Sequence, residues 1–169
     1  MPQKTEPLGL YVHIPFCASK CGYCDFYSIT NRAGRHAYTD TLVQEILSYQ
    51  GRGYTADTLF LGGGTPSLME AEELVRILSA CREAFSLDME GEITLEANPD
   101  SVSLGYLREL RQAGFNRVSF GAQSIVDREL KALGRRHDAA RIRQAMEWAK
   151  EAGFARRSLD VMVGIPYQT

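Results

Sequence analysis

Apolar residues along this chain fall into two alternating patterns: short continuous runs, and longer stretches with apolar positions three and four residues apart. The short runs are rich in β-forming residues and predict strands over Leu10–Phe16, Thr58–Leu61, Glu92–Leu95, Arg117–Phe120 and Ser158–Val163. Near-continuous apolarity suits a parallel sheet covered by helices on at least one face. The longer stretches predict helices. Tyr38–Tyr49 carries Leu42, Ile46, Leu47 and Tyr49 on one side. Ala71–Phe85 places Leu74, Ile77, Leu78, Cys81 and Phe85 at helical steps, with Glu72, Glu73, Arg76 and Arg82 between them. Leu104–Ala113 runs into Gly114 and Ala139–Ala152 into Gly153, and glycine is the usual left-handed stop just past a helix.

Strand, loop, helix and strand therefore follow one another along the whole chain. Such connections are right-handed, so successive units curl one way into an open sheet or a barrel. The expected fold is α/β, an incomplete barrel of about five parallel strands with helices on its outer face. After the fifth run only Gly164-Ile-Pro-Tyr-Gln-Thr169 remains, and no helix covers that strand. An apolar strand left at an edge is a liability, so residues 1–169 read as one incomplete domain lacking a sixth βα unit.

Size and composition narrow the function classes. A chain of 169 residues suits one domain with a sizeable core. A net charge of −2 leaves no electrostatic footprint for nucleic acid or anionic lipid. No segment approaches the roughly 20 apolar residues of a membrane span. Met1-Pro-Gln-Lys-Thr-Glu6 leads into no apolar run of the secretory kind. Four cysteines without an export signal point to the reducing cytoplasm and to metal ligation, not disulfides.

Three of those cysteines, Cys17, Cys21 and Cys24, follow the first strand as C-x3-C-x2-C. Three thiolates so close can hold three irons of a cubane iron–sulfur cluster and leave the fourth iron open to a small molecule. A structural zinc site is the competing reading. It prefers four protein ligands, and His13 or the remote Cys81 would have to complete it. Cys81 lies on the apolar stripe of its helix and reads as a small buried side chain. His13 reads equally as a hydrogen-bonding residue near the strand end and as a site residue. His36 reads as a surface residue, and His137, after two arginines, as part of a solvated run.

In parallel βα folds, active sites lie at the C-terminal ends of the strands. Strand one ends in the cysteine loop. The second ends in Gly62-Gly-Gly-Thr-Pro66, where absent side chains let backbone approach a ligand closely. Strand three ends with Glu96 and Asn98, strand four runs into Gly121 and Gln123, and Asp160 lies early in the fifth. Taken singly, the glycine run is also a tight turn, Glu96 a helix-cap partner and Arg135-Arg136 a solvent face. The ordering along five consecutive strands is what points to one site.

Together, the cysteine motif after Tyr11-Val-His-Ile-Pro-Phe16, Gly62-Gly-Gly-Thr-Pro66, Leu95-Glu-Ala-Asn-Pro99, Ser119-Phe-Gly-Ala-Gln-Ser124 and Gly164-Ile-Pro166 resemble the radical S-adenosylmethionine superfamily. Within it the chain is similar to the group that holds oxygen-independent coproporphyrinogen III oxidase and the HemW-type heme chaperones. The oxidase typically carries a fourth cysteine two residues after the third. Here Asp25-Phe26 follows Cys24, the pattern of the HemW-like branch.

The resemblance implies a [4Fe–4S] cluster on Cys17, Cys21 and Cys24, with S-adenosylmethionine chelating the open iron. It implies cofactor contacts from Tyr11 and Tyr23, the latter beside the adenine. Gly63, Gly64 and Thr65 would face the methionyl amine, and Glu96, Gln123 and Asp160 would add polar contacts, the carboxylates to ribose. The family's cationic position falls on Arg135, with Arg136 one residue away as the alternative. The implied chemistry is reductive cleavage of the sulfonium to methionine and a 5′-deoxyadenosyl radical. The implied partners are heme as cargo or a porphyrinogen, a reducing electron donor and a heme-acceptor protein. The heme-binding motif and C-terminal domain of such proteins would lie beyond Thr169.

Overall fold

The computed structural model describes residues 6–88, 90–166 and 168. Residues 1–5, 167 and 169, which entered the reading of the two chain ends, lie outside the described residues. Strands β1 (Leu8–Ile14), β2 (Ala56–Gly63), β3 (Glu92–Ala97), β4 (Arg117–Gln123) and β5 (Arg156–Val161) form one sheet in sequence order, every neighbouring pair parallel. Helices α1 (Arg35–Leu47), α2 (Ala71–Phe85), α3 (Leu104–Ala113), α4 (Asp127–Ala132) and α5 (Ala139–Glu151) lie between them. Each crossover steps one strand over in the same direction, so right-handed connections put the helices on a single face. That is the arrangement of a barrel wall; a doubly wound sheet reverses its strand order midway. Along the covered face α1 packs on α2, α2 on α3 and α3 on α5. The sheet is not closed, and β1 and β5 are its edges among the described residues.

The twofold alternation of strand side chains separates core from site. Val12 and Ile14, Leu59 and Leu61, Ile93 and Leu95, and Val118 and Phe120 are buried beneath the helices. From α2, Leu74, Ile77, Leu78 and Cys81 fill the facing layer, and Leu107 and Leu110 continue it from α3. Burial pushes the Cys81 thiol up to about 12, as expected of a core cysteine. The alternate positions, among them His13, Glu96, Ser119 and Asp160, face the other way and make that side of the sheet polar. Phe120 is fully buried at the centre of the apolar layer. Phe120→Ala is expected to lower stability by about 3–5 kcal/mol in urea denaturation, through lost burial and the cavity left behind.

The helix ends follow from local chemistry. Glu70 and Glu73 form a reciprocal capping box at the start of α2. Ser103 and Asp138 cap α3 and α5 by accepting from Tyr106 N and Arg141 N. Gly114 closes α3 at a φ of +118°.

The structure shifts several boundaries. β1 spans Leu8–Ile14, not Leu10–Phe16, because Pro15 has no N–H with which to continue the ladder. Phe16 instead makes an isolated bridge to Ile29. α1 begins at Arg35, three residues before the expected Tyr38. β5 is Arg156–Val161, not Ser158–Val163. The two arginines at its start masked a strand that pairs with Arg117 and Val118 of β4. α4 was not anticipated; six residues are too few to display a helical period.

Candidate functional site

The site begins where the second strand meets the end of the first. Gly64 N donates to Ile14 O and Thr65 N to Phe16 O, each over 2.8 Å, so the glycine turn is zipped to the segment that opens the cysteine loop. A Cβ on Gly64 would lie 2.8 Å from Pro15 C and Phe16 O. One on Gly63, whose φ is +112°, would sit 2.6 Å from the His13 ring. Close approach of backbone and ring therefore demands these glycines, which a plain turn would not. The loop's own neck is closed by Ile29 N donating to Pro15 O (2.8 Å) and Cys17 N donating to Ile29 O (2.9 Å).

Cys17, Cys21 and Cys24 are free thiols, all half-buried. They line one open cleft of about 1030 Å³, solvent at its mouth included. The same cleft is lined by Tyr23, by Gly63, Gly64 and Thr65, and by Glu96, Gln123, Arg135 and Asp160. Tyr11 stands apart from it. Its ring is 59% exposed and stacks on Phe60, and its hydroxyl meets His13 Nδ1 at 3.1 Å. Burial, aided by Glu96, holds the Tyr11 phenol above its ordinary range.

Arg135 enters the cleft from the turn after α4, where Gly134 adopts a φ of +69°. Its Nη2 donates to Asn98 Oδ1 (2.5 Å) and Gly121 O (2.7 Å). Its Nη1 donates to the Tyr23 hydroxyl (3.1 Å) and Cys21 Sγ (3.8 Å). Arg136 turns instead to Asp100, 3.5 Å away, with a side chain 61% exposed. Both arginines line the cleft, Arg136 at its more exposed rim, but only on Arg135 do carbonyl, amide and thiol acceptors converge. Burial raises the Tyr23 phenol, and the Arg135 charge opposes that rise.

Glu96 does not act as a helix-cap partner. Its Oε2 accepts from Gly63 N at 3.2 Å and braces the glycine turn. Burial holds its carboxyl above the ordinary value, with Asp160 adding to the rise and the Gly63 N–H opposing it. A raised carboxyl pKa in the folded state stabilises the fold below the unfolded value of 4.5, and that contribution is lost as pH rises through the folded value. Glu96→Gln is therefore expected to raise the urea midpoint of the ligand-free chain at neutral pH. The gain should vanish on acidification below about 4.5.

Asp160 accepts from Ser119 Oγ at 2.9 Å, and Ser119 Oγ accepts from Ser158 Oγ at 2.8 Å. Gln123 has a φ of +67°, the left-handed region, where the β4–β5 register shifts. A non-glycine residue there is strained by the order of 1 kcal/mol, and such strain concentrates at functional sites. Its carbonyl is held by Met162 N at 2.9 Å.

Asn98, expected beside Glu96 among the strand-end features of the site, bridges Thr65 and Arg135. His137 is the cleft residue that the sequence reading misplaced. His137 was placed in a solvated run, but is 6% exposed, lines the cleft and contacts Ala122 O at 3.4 Å. Burial and the adjacent Arg135 lower its pKa. No local period announces this burial, because α4 ends at Ala132 and Gly134 turns the chain before His137 is reached. His36, by contrast, is exposed as expected, and its Nδ1 reaches the buried Glu73 at 2.8 Å.

The donor set can be weighed against the two metal readings. His13 has both ring nitrogens engaged, Nε2 donating to Tyr27 O (3.0 Å) and Nδ1 accepting from Tyr11. Cys81 is sealed in the core. Neither candidate fourth zinc ligand is available. Among the described residues no three His, Cys, Asp or Glu donors converge on a single-ion site. Three half-buried free thiols lining one open cleft are a donor set suited to a multi-iron core with a non-protein ligand.

Comparison with known proteins gives the class. The radical SAM superfamily model matches residues 11–169, and the chain belongs to that superfamily. Its sequence is 36% identical over 171 residues to the heme chaperone HemW of Escherichia coli, covering 98% of this chain and 45% of that protein. It is also 36% identical over 170 residues to the oxygen-independent coproporphyrinogen III oxidase of the same organism, covering 97% and 37%. The solved structure of that oxidase, a radical SAM enzyme, superposes with a TM-score of 0.86 at 31% identity, over 96% of this chain and 38% of the other. The chain thus spans less than half the length of the relatives it matches, and the parallel barrel-type sheet expected from the sequence is the one they share.

Proposed function

We propose that this chain is the radical SAM core of a HemW-type heme chaperone. In this reading Cys17, Cys21 and Cys24 hold a [4Fe–4S] cluster whose open iron takes S-adenosylmethionine, and heme is the cargo passed to an acceptor protein. The observation that supports it most is the half-open thiol triad beside the glycine turn, followed by Asp25-Phe26 where the oxidase typically has a fourth cysteine. When bound, the cluster and the sulfonium together supply a one-electron reductive cleavage.

The residues of the cleft have separate tasks. The Arg135 guanidinium, a planar fork of donors, suits the methionyl carboxylate. Gly63, Gly64 and Thr65 offer backbone groups and a hydroxyl to the methionyl amine. Glu96 and Asp160 are acceptors suited to ribose hydroxyls, and Gln123 adds an amide. The Tyr23 ring offers a face to adenine; Tyr11, outside the cleft, would have to leave His13 to contact the cofactor. A reducing electron donor and the cytoplasm complete the reading.

A second reading, coproporphyrinogen dehydrogenation, is favoured by the equal 36% identity to the oxidase. Anaerobic reconstitution with iron and sulfide, followed by electron paramagnetic resonance of the reduced protein, tests the cluster. The full-length protein that carries this core is then offered heme and an apo-acceptor, and separately coproporphyrinogen with dithionite. Heme retention and transfer are expected; protoporphyrinogen formation would overturn the chaperone reading in favour of the oxidase.

A further inference from the structure

Two of the three thiols are approached by hydrogen-bond donors, and a single side chain joins those donors. Thr65 Oγ1 donates to Cys17 Sγ over 3.7 Å, and Arg135 Nη1 to Cys21 Sγ over 3.8 Å. Asn98 stands between them. Its Nδ2 donates to Thr65 Oγ1 over 3.2 Å, and its Oδ1 accepts from Arg135 Nη2 over 2.5 Å. The amide cannot be reversed, because a guanidinium only donates and Oδ1 must face it. With its oxygen accepting from Nδ2, the Thr65 hydroxyl directs its hydrogen at Cys17. A continuous polar bridge results, from Cys17 through Thr65, Asn98 and Arg135 to Cys21.

The middle of this bridge is itself fixed. Asn98 N donates to Ser67 Oγ (3.1 Å), and Asn98 O accepts from Ser101 N (3.0 Å) and Ser101 Oγ (2.9 Å). Gly121 lies beside the pair. A Cβ there would meet Gln123 Nε2 first, at 3.0 Å, then Asn98 Oδ1 at 3.3 Å and Arg135 Nη2 at 3.5 Å.

We infer that Asn98 is a positioning residue that, through Thr65 and Arg135, sets the hydrogen bonding to two ligating sulfurs and so the potential at which the cluster accepts its electron. The inference rests on the proposed cluster. Hydrogen bonds to sulfur favour the more electron-rich reduced state and raise the reduction potential. Removing Asn98 takes one partner from the Thr65 hydroxyl and one from Arg135 Nη2, which keeps Gly121 O.

The test is an anaerobic redox titration followed by electron paramagnetic resonance, with iron and sulfide analysis, on the reconstituted wild type, Asn98→Ala, Thr65→Val and the double variant. Asn98→Ala is expected to keep the wild-type iron content while its midpoint moves negative. Thr65→Val, which removes the donor to Cys17, should move the midpoint the same way. The double variant should move less than the two single shifts summed, because Asn98 acts in part through that hydroxyl. An unmoved midpoint in Asn98→Ala at full iron content overturns the inference, and so do additive shifts from the two substitutions. Should Asn98→Ala not assemble, an unmoved midpoint in Thr65→Val overturns it. A wild-type chain that takes up no cluster overturns the proposed function instead.

Discussion

Cys21→Ala is expected to abolish the iron–sulfur centre while leaving the fold intact. Iron and sulfide bound after reconstitution should fall to near zero, and the visible absorption and reduced-state resonance should go with them. Cys21 is a half-buried loop residue that contributes nothing to the apolar layer, so the urea midpoint should shift by no more than about 0.5 kcal/mol of stability. Cys81→Ala supplies the converse. That thiol is 1% exposed on α2 with its pKa pushed up to about 12, so its loss should cost about 1 kcal/mol and leave iron uptake unchanged. Equal iron content in the two variants would remove the basis for dividing the cysteines into ligands and core.

Gly64→Ala should damage fold and site together. Its new methyl would lie 2.8 Å from Pro15 C and Phe16 O and 3.0 Å from Ile14 O, all backbone atoms that cannot swing aside. Relief requires the glycine turn to leave the end of β1, which breaks the Gly64–Ile14 and Thr65–Phe16 hydrogen bonds. Two backbone bonds at about 1 kcal/mol each, with some overpacking, give an expected loss of about 3 kcal/mol. Cluster uptake should drop as well, because the turn no longer meets the cysteine loop. Gly34→Ala is the control: nothing lies within 4 Å of a Cβ there, and stability should change by less than about 0.5 kcal/mol. If urea denaturation finds the two variants alike, the zipped turn is not what holds the site together.

The strand and helix pattern was legible because this sheet is apolar on its covered face, and because α2 and α3 carry clean helical stripes. Boundaries failed where polar residues sit on a strand, as Arg156 and Arg157 do in β5, or where a helix is as short as α4. The site was legible as far as strand ends could be matched to chemistry, which put Cys17, Gly64, Glu96 and Gln123 around one cleft. Side-chain direction was not legible. Arg135 and Arg136 are adjacent in sequence and both line the cleft, and only the turn after α4 decides which of them meets Asn98, Gly121 and Cys21. The burial of His137 and the bridging role of Asn98 depend on partners more than ten residues away, and no local period reports those. Tyr11 shares its face of the sheet with Glu96 but is drawn toward His13 and Phe60 instead of the thiols.

The paired contacts among Pro15, Cys17 and Ile29 have a consequence for metallation. Many small metalloproteins are unfolded until their ion arrives, and binding must then gather the ligands from a random chain. Here a parallel bridge between Phe16 and Ile29 closes the neck of the sulfur-bearing segment beforehand, tied to a sheet with a continuous apolar interior. In the proposed reading, iron would meet a loop already closed at its neck, so less of its affinity would be consumed in ordering the donors.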